Sequence, residues 1–119
     1  MNLPKLLYTT KEGRRVYPFQ GIINSRQLTE IHIDPHWEEG HADYMSDELI
    51  YKLAWQLVQV EEWFVVEERK ESWEYFSFDK LFQGWRAYKI AFCLQDGSSF
   101  LGIRTCHRYS KNDKKDNKE

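Results

Sequence analysis

The sequence predicts an α+β domain in which one main helix packs on an antiparallel sheet of four to five strands. Apolar side chains recur at helical spacing after Ser46, whereas the other apolar runs alternate with the period of two that is typical of half-buried strands. The Asp96-Gly97 pair between two such runs is a strong short-range hairpin signal. A helical stripe and a two-sided strand pattern in one chain favour two packed layers.

The chain of 119 residues is predicted to form a single domain over residues 1–109. Aromatic residues make up 16% of the chain and supply large side chains for a core without metal or disulfide support. No run of about 18 or more apolar residues and no signal-peptide pattern is present, so we expect a cytoplasmic protein with no membrane contact. Residues 110–119 lack apolar side chains and are predicted to be a disordered charged tail.

Two strands are predicted before the helix. Residues 1–15 contain scattered Pro, Gly and basic residues and should be weakly ordered. Residues 16–23 favour a strand, but Pro18 and Gly21 restrict it to an edge position or a bulged conformation. Residues 28–33 alternate well between two faces and are predicted to form the next strand.

The main helix is predicted to begin after Ser46, because a serine side chain is a good N-cap. Asp47 and Glu48 follow and suit the positive end of the helix dipole. No Pro or Gly interrupts the segment through Val60. The apolar stripe that would pack on the sheet consists of Leu49, Ile50, Leu53, Ala54, Leu57 and Val58.

Strands are predicted again after the helix. Residues 62–68 and residues 73–79 are rich in β-branched and aromatic side chains, and residues 80–84 are predicted to turn into a final hairpin over residues 85–109. The side chains that would share one face of the second of these strands are Trp73, Tyr75 and Ser77.

A type I′ turn at Asp96-Gly97 would fix the register of the final hairpin. Tyr88 would then lie opposite Thr105, and Arg86 opposite His107. These four residues would form the polar end of an otherwise apolar sheet face, as in a small active or binding site. A core face that meets solvent where the sheet ends is the alternative interpretation.

The other face of this hairpin would carry basic residues and both cysteines. Lys89 would lie opposite Arg104, with Arg108 further along, and like charges at such positions require a carboxylate or a nucleic-acid phosphate between them. Cys93 and Cys106 would lie several residue pairs apart, too far for a disulfide, and should remain reduced thiols.

The polar end of the hairpin is the first candidate site. Cleavage of RNA without a metal needs a base for the 2′-hydroxyl, an acid for the leaving oxygen and a cation for the phosphate. His107 and Tyr88 could exchange the protons, and Arg86 could hold the phosphate. The candidate substrate-binding residues beside them are Lys89, Arg104, Thr105, Arg108 and Tyr109.

Three histidines, His32, His36 and His41, occur among carboxylates before the helix. A divalent metal is one interpretation, but their spacing matches no standard metal site. A structural role or contact with a substrate, near the start of the helix, is favoured over metal binding for His36 or His41. No phosphate loop, Rossmann glycine pattern or Cys-x-x-Cys motif occurs, so no cofactor or metal is predicted.

Charge is distributed unevenly along the chain, although the net charge is only −2. Residues 28–79 are strongly acidic, whereas residues 1–27 and residues 80–109 are basic. The two basic segments could form one phosphate-binding face if they pack together. The acidic segment would equally suit a basic protein partner, through Glu61, Glu62, Glu67 and Glu68, or form a solvated face without a partner.

The segments HADYMSDELIYKL and FDKLFQGWRAYKIAFCLQDGSSFLGIRTCHR resemble small bacterial proteins of the RelE-like toxin class, over residues 28–109. The likeness rests on the order aromatic-Arg-x-Tyr-x-Ile and then Leu-Gly-Ile-x-x-x-x-Arg in the last two strands. It implies the barnase–colicin–RelE ribonuclease fold, RNA as the substrate and a protein antitoxin as the partner. The resemblance places Arg86, Tyr88, His107 and Arg108 at the catalytic edge.

Two functions follow from these observations. The first is an RNA-cleaving toxin of a toxin–antitoxin or related system, which would cut by metal-independent attack of the 2′-hydroxyl. The second is a non-enzymatic binding protein, such as an immunity protein or antitoxin, that covers a basic partner with its acidic middle segment. The resemblance favours the first.

Overall fold

The computed structural model describes residues 2–35 and 44–109, with the backbone alone described for Tyr109. The described elements are β1 (Tyr8–Thr9), β2 (Arg15–Ile23), β3 (Arg26–Ile33), α1 (Asp47–Leu57), β4 (Glu68–Lys70), β5 (Trp73–Gln83), β6 (Arg86–Gln95) and β7 (Phe100–Tyr109). The tail predicted over residues 110–119 lies outside the described residues. In the parts of the chain that are described, no helix has the length and apolar character needed to cross a lipid bilayer.

All seven strands belong to one sheet, in the order β1-β2-β3-β7-β6-β5-β4. The β3–β7 pair is parallel, and every other neighbouring pair is antiparallel. The prediction of a helix on a four- to five-stranded antiparallel sheet was therefore wrong, because the structure is mainly a seven-stranded mixed sheet with one short helix. The β3–β7 pair joins segments that lie far apart in the sequence, and alternation within each segment does not specify that contact.

The β2–β3 hairpin has a type I′ turn, which is the turn type that the sequence predicted for Asp96-Gly97 in the final hairpin. Its two central residues, Asn24 and Ser25, both have positive φ, 50° and 66°, as this turn requires. The register of β2 against β3 shifts between Pro18 and Gly21, which confirms the predicted bulge.

The final hairpin does turn at Asp96-Gly97, but its predicted register was wrong. The Ser98 N–H donates to the Gln95 carbonyl at 3.1 Å, and of the two central residues Gly97 alone has a positive φ, 77°. A type I′ turn needs positive φ at both positions, so the turn is of another type and the connection from β6 to β7 is longer than two residues.

A bulge in β7 changes the register a second time. Phe92 pairs with Ile103 and Ala91 pairs with Thr105, which leaves Arg104 as an extra residue between them. A single extra residue exchanges the two faces for every side chain that follows it.

The bulge separates the residues that the sequence grouped together. Tyr88 lies opposite Arg108, and His107 lies opposite Lys89. Cys106 faces the core rather than the same face as Cys93, so the prediction that the two thiols share a face was wrong. Both cysteines are free, as predicted.

The start of α1 agrees with the prediction. The Ser46 hydroxyl accepts a hydrogen bond from the Leu49 N–H at 3.1 Å, which is the N-cap interaction expected from the sequence. The helix ends at Leu57, three residues before the predicted end at Val60.

Asp47, the first residue of α1, connects the helix to β2. Its carboxylate accepts two hydrogen bonds from the Arg15 guanidinium, at 2.6 and 3.0 Å, and one from the Tyr17 hydroxyl at 2.7 Å. Burial and this hydrogen bond raise the pKa of Tyr17 to about 12, so its hydroxyl remains a donor at neutral pH.

The core lies between α1 and one face of the sheet, which we call the helix face. Burial of these apolar side chains provides the main driving force for folding. Its fully buried large side chains are Ile23, Leu28, Ile31, Ile33, Ile50, Leu53, Leu57, Leu81, Ile90, Phe92, Leu94 and Leu101.

Residues 60–67 connect α1 to β4, and we call this segment the strap. The sequence predicted a strand over residues 62–68, but only Glu68 belongs to β4, so this prediction was wrong. The centre of the strap is held by the Asn24 amide, which donates to the Phe64 carbonyl at 2.9 Å and accepts from the Phe64 N–H at 2.8 Å. Satisfying both backbone groups of Phe64 in this way replaces the strand pairing that the sequence suggested. The end of the strap is held by the Glu67 N–H, which donates to the Tyr75 carbonyl at 2.9 Å.

The turn predicted over residues 80–84 was also wrong, because β5 continues through it to Gln83. A bulge between Phe78 and Leu81 keeps both side chains on the helix face of the longer strand. The chain turns instead after β5, at Gly84, which has a φ of 64°.

Four charged residues hold together the end of the sheet beside the β6–β7 turn. Arg26 and Arg69 each form ion pairs with both Glu74 and Asp96. The hydrogen bond from Arg69, followed by the charges of both guanidinium groups, lowers the pKa of Asp96. This cluster links β3, β4, β5 and the β6–β7 turn.

Candidate functional site

The face of the sheet that points away from α1 carries no helix in the described part of the chain, and we call it the open face. Along β6, Phe92 and Leu94 belong to the core, so the alternate residue Cys93 belongs to the open face. The same alternation and the strand pairing place further side chains there, namely His32, Trp73, Tyr75, Ser77, Ala91, Phe100 and Thr105.

A groove of about 440 Å³ crosses the open face. Sites for small molecules and cofactors commonly have volumes of roughly 300 to 1,000 Å³. The residues that line this open-face groove are Arg14, Asp34, Trp73, Tyr75, Cys93, Arg104 and Thr105. A small recess beside it shares several of these residues and adds His32, Phe100, Gly102 and Ile103.

Aromatic rings and one guanidinium group provide flat surfaces along the groove. The Phe100 and His32 rings are stacked, with centroids 4.0 Å apart and an interplanar angle of 16°. Trp73 meets Phe100 edge to face at 5.8 Å, and the Arg104 guanidinium lies 4.6 Å from the centre of the Tyr75 ring. Such surfaces can stack on the planar ring of a ligand.

His32 is held between two rings and is only 8% exposed. Its Nε2 lies 3.1 Å from a Glu30 carboxylate oxygen, and the Tyr8 hydroxyl donates to the same oxygen at 3.4 Å. The Tyr8 ring meets the imidazole edge to face at 6.4 Å. These contacts fix His32 as part of the wall of the recess.

No group of three or more His, Cys, Asp or Glu residues among the described residues could hold a metal ion. His36 and His41, which the sequence suggested for substrate contact, lie outside the described residues.

The charged groups of the groove are two guanidinium groups and one carboxylate. The Arg14 Nε lies 3.8 Å from an Asp34 carboxylate oxygen. Arg104 is exposed and forms no ion pair with any described residue, and its guanidinium contacts the Tyr75 ring instead. The groove therefore has a net positive charge and a guanidinium group that is available to an anion.

Cys93 lies at the floor of the groove and is buried. Burial raises the pKa of its thiol to about 11, against the opposite effect of the Arg14 and Arg104 charges. The thiol is therefore protonated at neutral pH and is a poor nucleophile. A Cβ atom on Gly102 would lie 2.6 Å from the Cys93 sulfur, so the absence of a side chain at Gly102 allows the thiol to occupy the floor.

The three residues predicted to be catalytic do not share a site. Tyr88 is only 5% exposed and belongs to the core on the helix face. Arg86 is exposed at the start of β6, with its guanidinium 4.5 Å from the centre of the Trp85 ring. His107 lies on the open face, because it pairs with Lys89 across the two strands. The bulge at Arg104 moves His107 to the open face, whereas Arg86 differs from Tyr88 in lying at the exposed end of β6.

Of the residues predicted to bind substrate, Arg104 and Thr105 line the groove. Lys89 lies in a separate depression on the open face with Lys80, Asp79 and Glu67, where the charges balance.

Arg108 and Tyr109, which were also predicted to bind substrate, lie at the end of β7. Arg108 lies away from the groove, with its guanidinium 4.1 Å from the centre of the Tyr44 ring and its N–H donating to the Tyr44 hydroxyl at 3.1 Å. For Tyr109 the structure describes only the backbone, which pairs with Ala87.

Several groove residues were absent from the sequence-based site. The shared face of Trp73 and Tyr75 was visible in the alternation of their strand, so these two could have been proposed. Arg14 and Asp34 come from the N-terminal hairpin, and they reach the groove because β3 pairs with β7. No local pattern in the sequence predicts that pairing.

No protein-family model matches the chain, and no curated protein or solved structure is significantly similar to it. The resemblance to the RelE-like toxin class therefore stays a prediction from the sequence.

Proposed function

We propose that this protein binds single-stranded RNA in the open-face groove. The observation that carries the proposal is the exposed Arg104 guanidinium, which lies over the Tyr75 ring and has no carboxylate partner among the described residues. RNA-binding proteins commonly place unpaired bases on aromatic side chains of a sheet face and hold the phosphates with arginine.

The chemistry of the groove fits a nucleotide better than a simple anion. A simple anion needs only cationic groups, whereas this groove also presents the rings of Trp73, Tyr75 and Phe100. Stacking of one base on an aromatic side chain contributes roughly 1 to 3 kcal/mol. Asp34 could accept a hydrogen bond from an N–H group of a base, such as the N3–H of uracil, as carboxylates do from the amino group of cytosine.

The number of cations sets the strength and the salt dependence of the proposed binding. Arg14 and Arg104 can neutralise about two phosphates, so the logarithm of the binding constant should fall with the logarithm of salt with a slope of roughly −1.4. Most of the affinity should therefore come from stacking rather than from charge, as expected for a protein whose net charge is −2.

RNA cleavage stays a separate prediction. The groove contains arginines for a phosphate, but His32 in the adjoining recess is nearly buried and already contacts Glu30. A general base must come within hydrogen-bonding reach of the proton that it removes. We therefore propose binding without assigning a catalytic step to these residues.

Fluorescence anisotropy with a labelled oligouridylate tests the proposal. We expect the parent protein to bind. Arg104→Gln should weaken binding about tenfold or more, because it removes both the positive charge and the guanidinium group that lies over the Tyr75 ring. Arg86→Gln is the matched control, since Arg86 is equally exposed but lies at the far end of β6 from the groove. It should leave affinity unchanged.

Equal loss of affinity in both variants would indicate non-specific electrostatic attraction and would overturn the proposal, as would the absence of binding by the parent. The same proteins, with His107→Ala added, can be incubated with RNA in EDTA. Cleavage that is lost in Arg86→Gln or His107→Ala would support the predicted toxin activity independently of the groove.

A further inference from the structure

The strap presents two large apolar side chains to solvent. Trp63 is 65% exposed and Val65 is 81% exposed, whereas Phe64 between them is buried. This alternation is that of an extended segment with one side in the core. Exposed tryptophans are unusual on a surface that contacts only water, and they are enriched at the centres of protein interfaces.

The strap is held in this conformation at its centre. Both backbone groups of Phe64 bond to the Asn24 side chain, and the Phe64 ring packs edge to face against Phe78 at 5.3 Å and Phe92 at 5.4 Å. Trp63 and Val65 are therefore presented by a fixed backbone, which reduces the entropy cost of binding a partner.

The charges on both sides of the two apolar residues have one sign. Glu61 and Glu62 precede Trp63, Glu67 and Glu68 follow Val65, and no Lys or Arg occurs within residues 61–68. All four carboxylates belong to exposed residues. Glu67 also accepts a hydrogen bond from the Ser77 hydroxyl and shares a depression with Lys80 and Lys89, so a partner competes with these two lysines for it. A partner that covers this surface needs positive charge around an apolar centre.

We infer that the strap is a docking surface for a basic protein segment that covers Trp63 and Val65 and pairs its Lys or Arg side chains with the four glutamates. The negative charge of this surface repels RNA and anionic lipid, so its ligand differs from that of the open-face groove. The inference therefore does not depend on the proposed function. β4 is the outermost strand of the sheet in the described structure, so an extended partner could also lie along its edge.

Selection from a random peptide library displayed on phage tests this inference, with the full chain as the target. We expect selection to enrich peptides that carry several Lys or Arg residues and at least one large apolar residue. Trp63→Ala should weaken the binding of a selected synthetic peptide about tenfold or more. Replacing the four glutamates by glutamine should weaken binding and remove most of its salt dependence.

Trp85→Ala is the matched control, because Trp85 is 82% exposed but lies in the β5–β6 turn. It should leave peptide affinity unchanged. The inference is overturned if no basic peptides are enriched, or if the selected peptides bind the Trp63→Ala and four-glutamine proteins as tightly as the parent. None of these variants removes a residue of the groove, so none should bind RNA more weakly than the parent. Failure of this inference and failure of RNA binding are therefore separate results.

Discussion

The guanidinium carbon of Arg104 lies 4.6 Å from the centre of the Tyr75 ring, a contact that reaches from β7 to β5 across the intervening β6. It is possible because Arg104 is the extra residue of the β7 bulge and has no partner on β6. Bulges commonly redirect a side chain at the edge of a site. The bulge that moves His107 away from the other predicted catalytic residues thus also places the Arg104 guanidinium in the groove.

If this pair acts as one surface, its two members should be coupled in RNA binding. Tyr75→Leu should weaken binding of the labelled oligouridylate by about 1 to 3 kcal/mol, because a base loses its ring partner. In the double variant with Arg104→Gln, the combined loss should be smaller than the sum of the single losses, since each variant already disrupts the shared surface. Additive losses would show that the two residues contact the ligand independently.

Gly102 is predicted to be intolerant of any side chain. Its added Cβ would lie 2.6 Å from the Cys93 sulfur, in a buried position where the thiol has little room to move. We expect Gly102→Ala to lower the free energy of unfolding by roughly 1 to 3 kcal/mol, as measured by urea denaturation.

A second substitution identifies the cause of that loss. In Cys93→Ala the sulfur is absent, so adding Gly102→Ala to this background should cost much less than adding it to the parent. An equal cost in both backgrounds would mean that strain in the β7 backbone, rather than contact with the thiol, limits this position.

Features that depend on a few adjacent residues could be predicted from the sequence. The Ser46 cap, the turn at Asp96-Gly97 and the bulge at Gly21 each follow from the chemistry of one or two side chains, and the structure contains all three. The length and register of the final hairpin could not be predicted in this way. One unpaired residue, Arg104, changes the face of every later side chain, and no residue type marks its position.

The candidate site was predicted only in part, for the same reason. Arg104 and Thr105 were among the expected substrate-binding residues and do line the groove. Arg14 and Asp34 were not expected, because they arrive through the parallel pairing of β3 with β7, which depends on the packing of the whole sheet. Tyr88 belongs to the core, and the bulge places its predicted neighbours Thr105 and His107 on the opposite face.

The Ser46 cap should make a measurable contribution to stability. Ser46→Ala removes the acceptor for the Leu49 N–H and leaves that donor without its partner at the end of α1. We expect a loss of about 1 kcal/mol in the free energy of unfolding, measured by urea denaturation. Ser46→Asp should retain most of the stability, because aspartate also caps helices and suits the helix dipole. If Ser46→Asp were as unstable as Ser46→Ala, the serine would act through something other than capping.

Tyr17 should make the protein sensitive to alkali in a defined range. Burial, assisted by the hydrogen bond to Asp47, raises the pKa of Tyr17 from 10.0 to about 12 in the folded protein. Between these values the unfolded chain loses the tyrosine proton while the folded protein keeps it. The contribution of Tyr17 to stability is therefore complete below about pH 10 and is lost as the pH rises towards about 12.

The Tyr17→Phe variant isolates this contribution, since the buried thiols of Cys93 and Cys106 titrate in both proteins and their effect cancels in the comparison. Urea denaturation followed by tryptophan fluorescence should show the parent losing roughly 2 kcal/mol more than the variant between pH 10 and about 12. At pH 8 the parent should be more stable than the variant, because the variant lacks the hydrogen bond to Asp47. Parallel pH profiles for the two proteins would mean that neither burial nor Asp47 holds the Tyr17 proton in the folded protein.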